Sequence, residues 1–294
     1  MIDFFILWGI MKVSKYDIKL LNIGPLYLDG GAMYGVVPKA LWEPVSIPDD
    51  KNRIELALKS LLLISEDKII LVDTGSGNKY PEKVKNIYKL EDSHELLRAE
   101  LFKHNITFND ITDVILTHLH FDHCGGSTAI ENGELRITFP NANFYLQKSQ
   151  YEWAKNPSLR DRSAYNTDNF LPIAENGNLF LLDGDAEIFS NISVYKVNGH
   201  TYGMQLIGVF DDNIRILHAA DLIPLASHVN LHYIMSYDLL PMITLEEKKL
   251  FLKECVENDV LIFLEHEPGC DLIRVDKNES GYFIKERLKW DEVK

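Results

Sequence analysis

The run Thr117-His118-Leu119-His120-Phe121-Asp122-His123-Cys124-Gly125-Gly126 constrains this chain more than any other stretch. Three imidazoles and one carboxylate crowd into it directly after Asp113 to Thr117, which reads as a short strand. Side chains alternate at period two where a strand leaves its sheet, so His118 and His120 share one direction. Asp122 and His123 turn toward a second position close by. Nitrogen and oxygen donors split in this way suit two metal ions, each needing further ligands from elsewhere in the chain.

Composition narrows the setting. The 294 residues are 46% hydrophobic and 25% charged, as in an ordinary soluble globular protein. Thirty Lys plus Arg against 44 Asp plus Glu give a net charge of −14, which repels a polyphosphate backbone and argues against nucleic acid as a partner. Cys124, Cys255 and Cys270 are odd in number and form no CxxC pair, so neither a disulfide framework nor a thiolate zinc site is expected, and a reducing, cytoplasmic location is. Ten histidines beside so much acid are the donor types of catalytic zinc. The apolar run Phe4 to Met11 is far too short to span a membrane and lacks the basic stretch and cleavage site of an export signal. Residues 1–15 therefore read as an apolar arm packing on the body or on a partner subunit, with Met11 a second possible start.

From residue 16 to 294 no linker or repeat marks a boundary, and one catalytic domain is the simpler reading. Strands are expected over Tyr16 to Ile23, Ala57 to Ile64 and Lys68 to Val72, the last two joined at Glu66-Asp67 as a hairpin. A helix follows Ser93, with Leu96, Leu97, Leu101 and Phe102 forming its apolar stripe. A strand near Phe144 to Leu146, a helix near Ser149 to Ala154 and several strands between Leu179 and Ala219 come next. Leu245 to Asn258 makes the best helix, with Leu250, Phe251 and Val256 on its apolar side, and Val260 to Leu264 a last buried strand. The runs Leu245-Glu246-Glu247-Lys248-Lys249 and Lys83 to Lys85 read as solvated faces. Strands, a helix, then strands and a helix again predict an α/β (α+β) arrangement of sheets packed together with helices outside.

The histidine run resembles the HxHxDH signature of the metallo-β-lactamase superfamily, and Leu71-Val72-Asp73-Thr74-Gly75 is similar to that family's strand and supporting aspartate. Further landmarks follow in the family's order: Asn198-Gly199-His200-Thr201, Ala219-Ala220-Asp221, and Glu265-His266. The resemblance spans about residues 16 to 275 and implies a four-layer αββα sandwich. It also implies that His118, His120 and His200 hold one metal, that Asp122, His123 and His266 hold the other, and that Asp221 bridges them. Two divalent ions are expected, zinc first, with iron, manganese or cobalt tolerable in such a donor set. A hydroxide between them would attack an ester carbonyl, Asp122 would pass a proton to the leaving group, and Asp73 would orient a ligand. His94, His104, His218, His228 and His232 read as surface or packing residues, with His228 and His232 near enough to Asp221 in sequence to line a pocket. Cys124 reads as a small buried neighbour, and two cations against two aspartates and a hydroxide predict a positive pocket.

Within the family, His120 stands where redox relatives carry Glu, and Asp221 where the commonest zinc β-lactamases carry Cys. Gly30 to Lys39 and Ser236-Tyr237-Asp238 are similar to the branch of acyl-homoserine-lactone lactonases and methyl-parathion hydrolase. That resemblance implies a quorum-quenching-type lactonase acting on a small ester or lactone, with promiscuous phosphotriesterase activity. A thioester or carboxylic-ester hydrolase of glyoxalase II type and a metal-bearing ligand sensor are the alternatives. Met33, Tyr34, Phe121 and Leu225 are candidates for an apolar substrate pocket, while Pro224 stands where many lactonases carry a tyrosine three residues after the bridging aspartate. The arm and the loop around Met33 make a homodimer the expected assembly.

Overall fold

The computed structural model describes residues 11 to 293, so residues 1–10 of the expected arm lie outside the described residues. Residues 11–15 are not an appendage: β1 (Met11–Val13) pairs antiparallel with β2 (Tyr16–Asp29) and lies in the first sheet. That sheet continues through β3 (Arg53–Ile64), β4 (Ile69–Val72) and β5 (Asp113–Ile115). A separate hairpin, β6 (Thr128–Glu131) and β7 (Glu134–Ile137), precedes its last strands, β8 (Asn143–Gln147) and β9 (Leu179–Leu182). The second sheet has the order β10 (Ala186–Phe189), β11 (Ile192–Val197), β12 (Met204–Phe210), β13 (Arg215–His218), β14 (Leu261–Phe263), β15 (Leu272–Asn278) and β16 (Gly281–Leu288).

The layers follow from alternation along the strands. In β3, Ile54, Leu56, Leu58 and Leu62 face the cluster under the helix Ser93–Phe102, while Leu61 and Leu63 face the second sheet. Ile70 and Val72 join that inter-sheet layer from β4, against Ile207, Val209 and Phe263 from the other sheet. A third cluster, with Phe251 and Leu252, packs the long helix Pro241–Glu257 on the outer face of the second sheet. The order is helix, sheet, sheet, helix, the four-layer sandwich expected.

Boundaries and faces differ in places. β2 runs on past Ile23 because a bulge between Asn22 and Pro25 carries the strand across Gly24, so Pro25 does not end the ladder. Phe102, 74% exposed, and Leu250, 71% exposed, lie outside the apolar stripes assigned to them. Glu247 and Lys248 leave the expected solvated face: Glu247 is half-buried and Lys248 buried.

The topology sets the site. β4 and β5 are parallel, β13 and β14 are parallel, and β11 shares their direction through two antiparallel steps. The carboxyl ends of these five strands meet at one rim, where the next turns carry Asp73, His118, His200, Asp221 and His266. Among the described residues no helix is long and apolar enough to cross a membrane.

Candidate metal centre

The histidine run leaves β5 under tight control. Asp73, in a left-handed conformation (φ 55°) just past β4, accepts from Thr117 N–H at 2.8 Å and from the Thr117 hydroxyl at 2.6 Å. Thr74 N–H donates to His123 O at 2.7 Å, and a Cβ on Gly126 would overlap the Thr74 carbonyl. Gly126 is therefore required by a close backbone approach. Half-buried Lys79 donates to Gly125 O and Thr128 O, and buried Lys59 to Glu267 O and Cys270 O, tying the turns after His123 and His266.

Three groups of buried donors result: His118, His120, His200 and Asp221; beside them Asp122, His123 and His266; and, sharing His123, Asp73 with Glu265, the donor atoms of each group lying within 4.8 Å of one another. Asp221 faces the first two. Its Oδ2 lies 3.1 Å from His200 Nε2 and 3.9 Å from His118 Nε2, and its Oδ1 lies 3.1 Å from His266 Nε2 and 3.6 Å from His123 Nε2. Asp122 Oδ2 sits 3.8 Å from His123 Nε2 and 3.9 Å from His266 Nε2.

The outward ring nitrogens are committed to oxygen. His266 Nδ1 donates to Ala57 O at 2.9 Å, and His200 Nδ1 to Asp238 Oδ1 at 2.8 Å. His123 Nδ1 lies 3.1 Å from Asp73 Oδ2 and 3.3 Å from Glu265 Oε2. In neutral rings these bonds leave lone pairs pointing inward, yet His266 Nε2 faces His123 Nε2 at 3.2 Å and His200 Nε2 faces His120 Nδ1 at 3.1 Å, and among the described residues His118 Nε2 has no hydrogen-bond partner. Ring nitrogens that face one another around a shared carboxylate fit cations of the kind bound by imidazole and carboxylate.

Protonation in the metal-free protein reflects the same deficit. Burial would lower His200 and His266, but the facing Asp221 carboxylate, with Asp238 beside His200 and Glu265 near His266, outweighs it and raises them to about 10 and about 9. His123 is likewise raised well above its usual value, against burial, by Glu265, Asp122 and Asp221. His118 and His120 are held far below theirs by burial and by neighbouring imidazoles.

The sequence motifs contain Asp238 and Glu265 without implying a role for either, yet Asp238 bonds His200 and Glu265 lies beside His123 and, at 3.3 Å, His218. A charged residue at the end of the apolar run Val260–Leu264 was the only sequence signal for Glu265. Asp73, Asp122, Asp221, Asp238 and Glu265 are all buried, so the pocket expected to be positive contains more compensating carboxylate than the sequence count allowed.

A cavity of about 350 Å³ opens onto these groups. Met33 and Phe121 line it, together with Leu28, Leu56, Tyr88 and Met235 on its apolar wall. Tyr34 and Leu225 are not among its lining residues; both are buried in the first core cluster, with the Tyr34 ring stacked on Trp42 and its hydroxyl bonded to Ser46 and Ser227. His228 bonds Met33 O at 2.9 Å and packs, and His232 is exposed. The Cys124 thiol bonds Leu119 O at 3.3 Å and is pushed up to about 12 by burial, which leaves no thiolate for nucleophilic work.

The family profile of the metallo-β-lactamase superfamily matches residues 58–262. The chain belongs to this superfamily. Among solved metallo-β-lactamase folds, a probable metal-dependent hydrolase from Staphylococcus aureus superposes with a TM-score of 0.86 at 28% identity, covering 95% of this chain and 98% of that one. AidC, a dizinc quorum-quenching lactonase solved with the product N-hexanoyl-L-homoserine, superposes with a TM-score of 0.78 at 22% identity over 94% of this chain and 95% of its own, a likeness of fold. An N-acyl homoserine lactonase of Bacillus cereus is 28% identical over 164 residues, 52% of this chain and 58% of the relative. The curated relatives are matched over 58% to 66% of their own length.

Proposed function

We propose that the protein is a dinuclear metal-dependent hydrolase of small, largely neutral esters, with lactones the preferred class. The observation that carries this reading is the split of Asp221, one oxygen toward His118 and His200 and the other toward His123 and His266, at the floor of a cavity with an apolar wall. His118, His120 and His200 would hold one cation, Asp122, His123 and His266 the other, with Asp221 shared. Five buried carboxylates beside neutral histidine ligands supply negative charge that divalent cations would offset. Zinc suits the donors, and iron, manganese or cobalt are tolerated. Bound there, the ions supply an acidified water and polarise the ester carbonyl.

The chain's own residues do the rest. Leu28, Met33, Phe121 and Met235 take an acyl or aryl group out of water at the cavity wall. Asp122, whose carboxyl burial pushes above the usual range, directs Oδ2 at His123 and His266 and keeps its second oxygen for a proton destined for the leaving alkoxide. Asp73 and Asp238 hold the His123 and His200 rings in orientation. The phenols at this cavity come from Tyr88 and Tyr237, which supply hydroxyls where Pro224 cannot. The same charge stabilisation would serve a phosphotriester as a slower, promiscuous substrate. The test compares metal-loaded and stripped protein on a lactone panel, a thioester and an aryl phosphotriester. Lactone turnover well above the stripped control supports the reading, faster thioester turnover reassigns the substrate class, and no turnover on any substrate sinks the hydrolase in favour of a sensor.

A further inference from the structure

The charged run at the start of the long helix divides by direction. Glu246 and Lys249 pair with each other on the outside, Nζ to Oε1 2.7 Å, with side chains 62% and 43% exposed. Glu247 and Lys248 point inward. Glu247 Oε1 accepts Asn198 N–H at 2.7 Å and Oε2 accepts Gly199 N–H at 2.9 Å, the two amides that immediately precede His200. Lys248 Nζ donates to Asn230 O at 2.9 Å and Tyr233 O at 2.7 Å, in the segment that leads into Met235 and Tyr237 at the cavity and Asp238 on His200. That segment closes on the same turn, Leu239 N–H to His200 O at 3.0 Å and Leu240 N–H to Gly199 O at 2.9 Å. A Cβ on Gly199 would overlap Thr244, so the helix lies directly against the turn.

We infer that Glu247 and Lys248 are positioning residues, a two-charge clamp through which the long helix sets the His200 turn and the cavity wall relative to each other. Neither lines the cavity, so they act through what they hold. A carboxylate taking two successive amides defines direction as well as distance, and a buried ammonium on two carbonyls does the same for the opposite strand of the loop pair. Apolar side chains of the same volume would fill the space without specifying that geometry.

The inference rests on the metal-dependent reading above, and the two fail separately. Metal affinity is measured on the full-length protein by competition with a chelator, alongside kcat and KM on the best ester of the panel. Glu247→Ala is expected to weaken the metal site that includes His200 by about 10- to 100-fold, with Glu247→Gln, which keeps one acceptor, falling between it and the parent. Lys248→Met is expected to raise KM several-fold and, because the segment it holds carries Asp238 onto His200, to weaken metal binding by less than Glu247→Ala does. Glu246→Ala and Lys249→Ala, on the same helix with the same chemistry, should match the parent in both. Should Glu247→Ala not fold, Glu247→Gln carries the comparison. Parent-like metal affinity in the Glu247 variants, or equal losses in Glu246→Ala, overturns the clamp and leaves the functional reading intact. Clamp-like metal losses in a protein that turns over no ester would sink the functional reading alone.

Discussion

Loading metal into the stripped protein should release about three protons per chain. At pH 6.5 the stripped site holds protons on His200, raised to about 10, on His266, raised to about 9, and on His123, raised well above its usual value. His118 and His120 are already neutral. A metal accepts only the neutral ring, so three of the five proposed histidine ligands must give up a proton on binding and two need not. Summed over both ions, each unit fall in pH below about 8 then costs about 4 kcal/mol of binding, three protons at about 1.4 kcal/mol each. Calorimetric zinc titrations in buffers of different ionisation enthalpy read the number directly as a slope. Working near pH 6.5 keeps ionisation of a zinc-activated water, near pH 7, a minor contribution. A slope below one would mean the rings are neutral when empty, and a slope near five that all are charged. Either result refutes the assignment of the buried carboxylates, Asp221 with Glu265, Asp122 and Asp238, as the charges that sort them. Asp221→Asn should lower the slope, since it removes one of those charges.

The same shifts fix a stability trend. Histidines whose folded values lie above about 6.5 stabilise the metal-free protein fully below that pH and lose the contribution as pH rises toward 9 and 10, so the melting temperature of stripped protein should fall across this window while loaded protein does not follow it. A stripped protein that gains stability over the window contradicts the sign. Asp221→Ala and His118→Ala should reduce bound metal per chain by elemental analysis; unchanged stoichiometry removes both from the ligand set. Gly126→Ala forces a methyl into the Thr74 carbonyl and is expected to cost about 2–3 kcal/mol in denaturant unfolding, and a cost near zero would show that this turn can relax. Phe121→Ala should raise KM for long-chain esters more than for short ones, and a uniform effect would place the acyl group elsewhere.

Much of the candidate site was legible because its donor residues sit in short segments with their own local rules. The HxHxDH run, Gly199-His200, Asp221 and Glu265-His266 each follow an apolar run, and a buried strand that ends in donors has few places to put them. The layering was legible for a similar reason, since strands apolar on both sides, as in β3, must lie between two covered faces. Less was legible where a residue's direction depends on what packs against it. Leu250 and Phe102 have the right type for a core and point to water, whereas Glu247 and Lys248 have the wrong type and point inward. Tyr34 and Leu225 are apolar neighbours of the site in sequence and lie behind it in space.

The sequence by itself determined which side chains are the candidate metal donors, because donor type and spacing within a turn are local properties of the chain. Tertiary structure alone decided how those donors are aimed and held. Asp238 lies 38 residues from His200. Glu265 reaches His123 from the other sheet, and Glu247 grips amides 49 and 48 residues away. Such partners are set by which loops the two sheets bring to the same rim, a long-range consequence of strand pairing that no local pattern encodes.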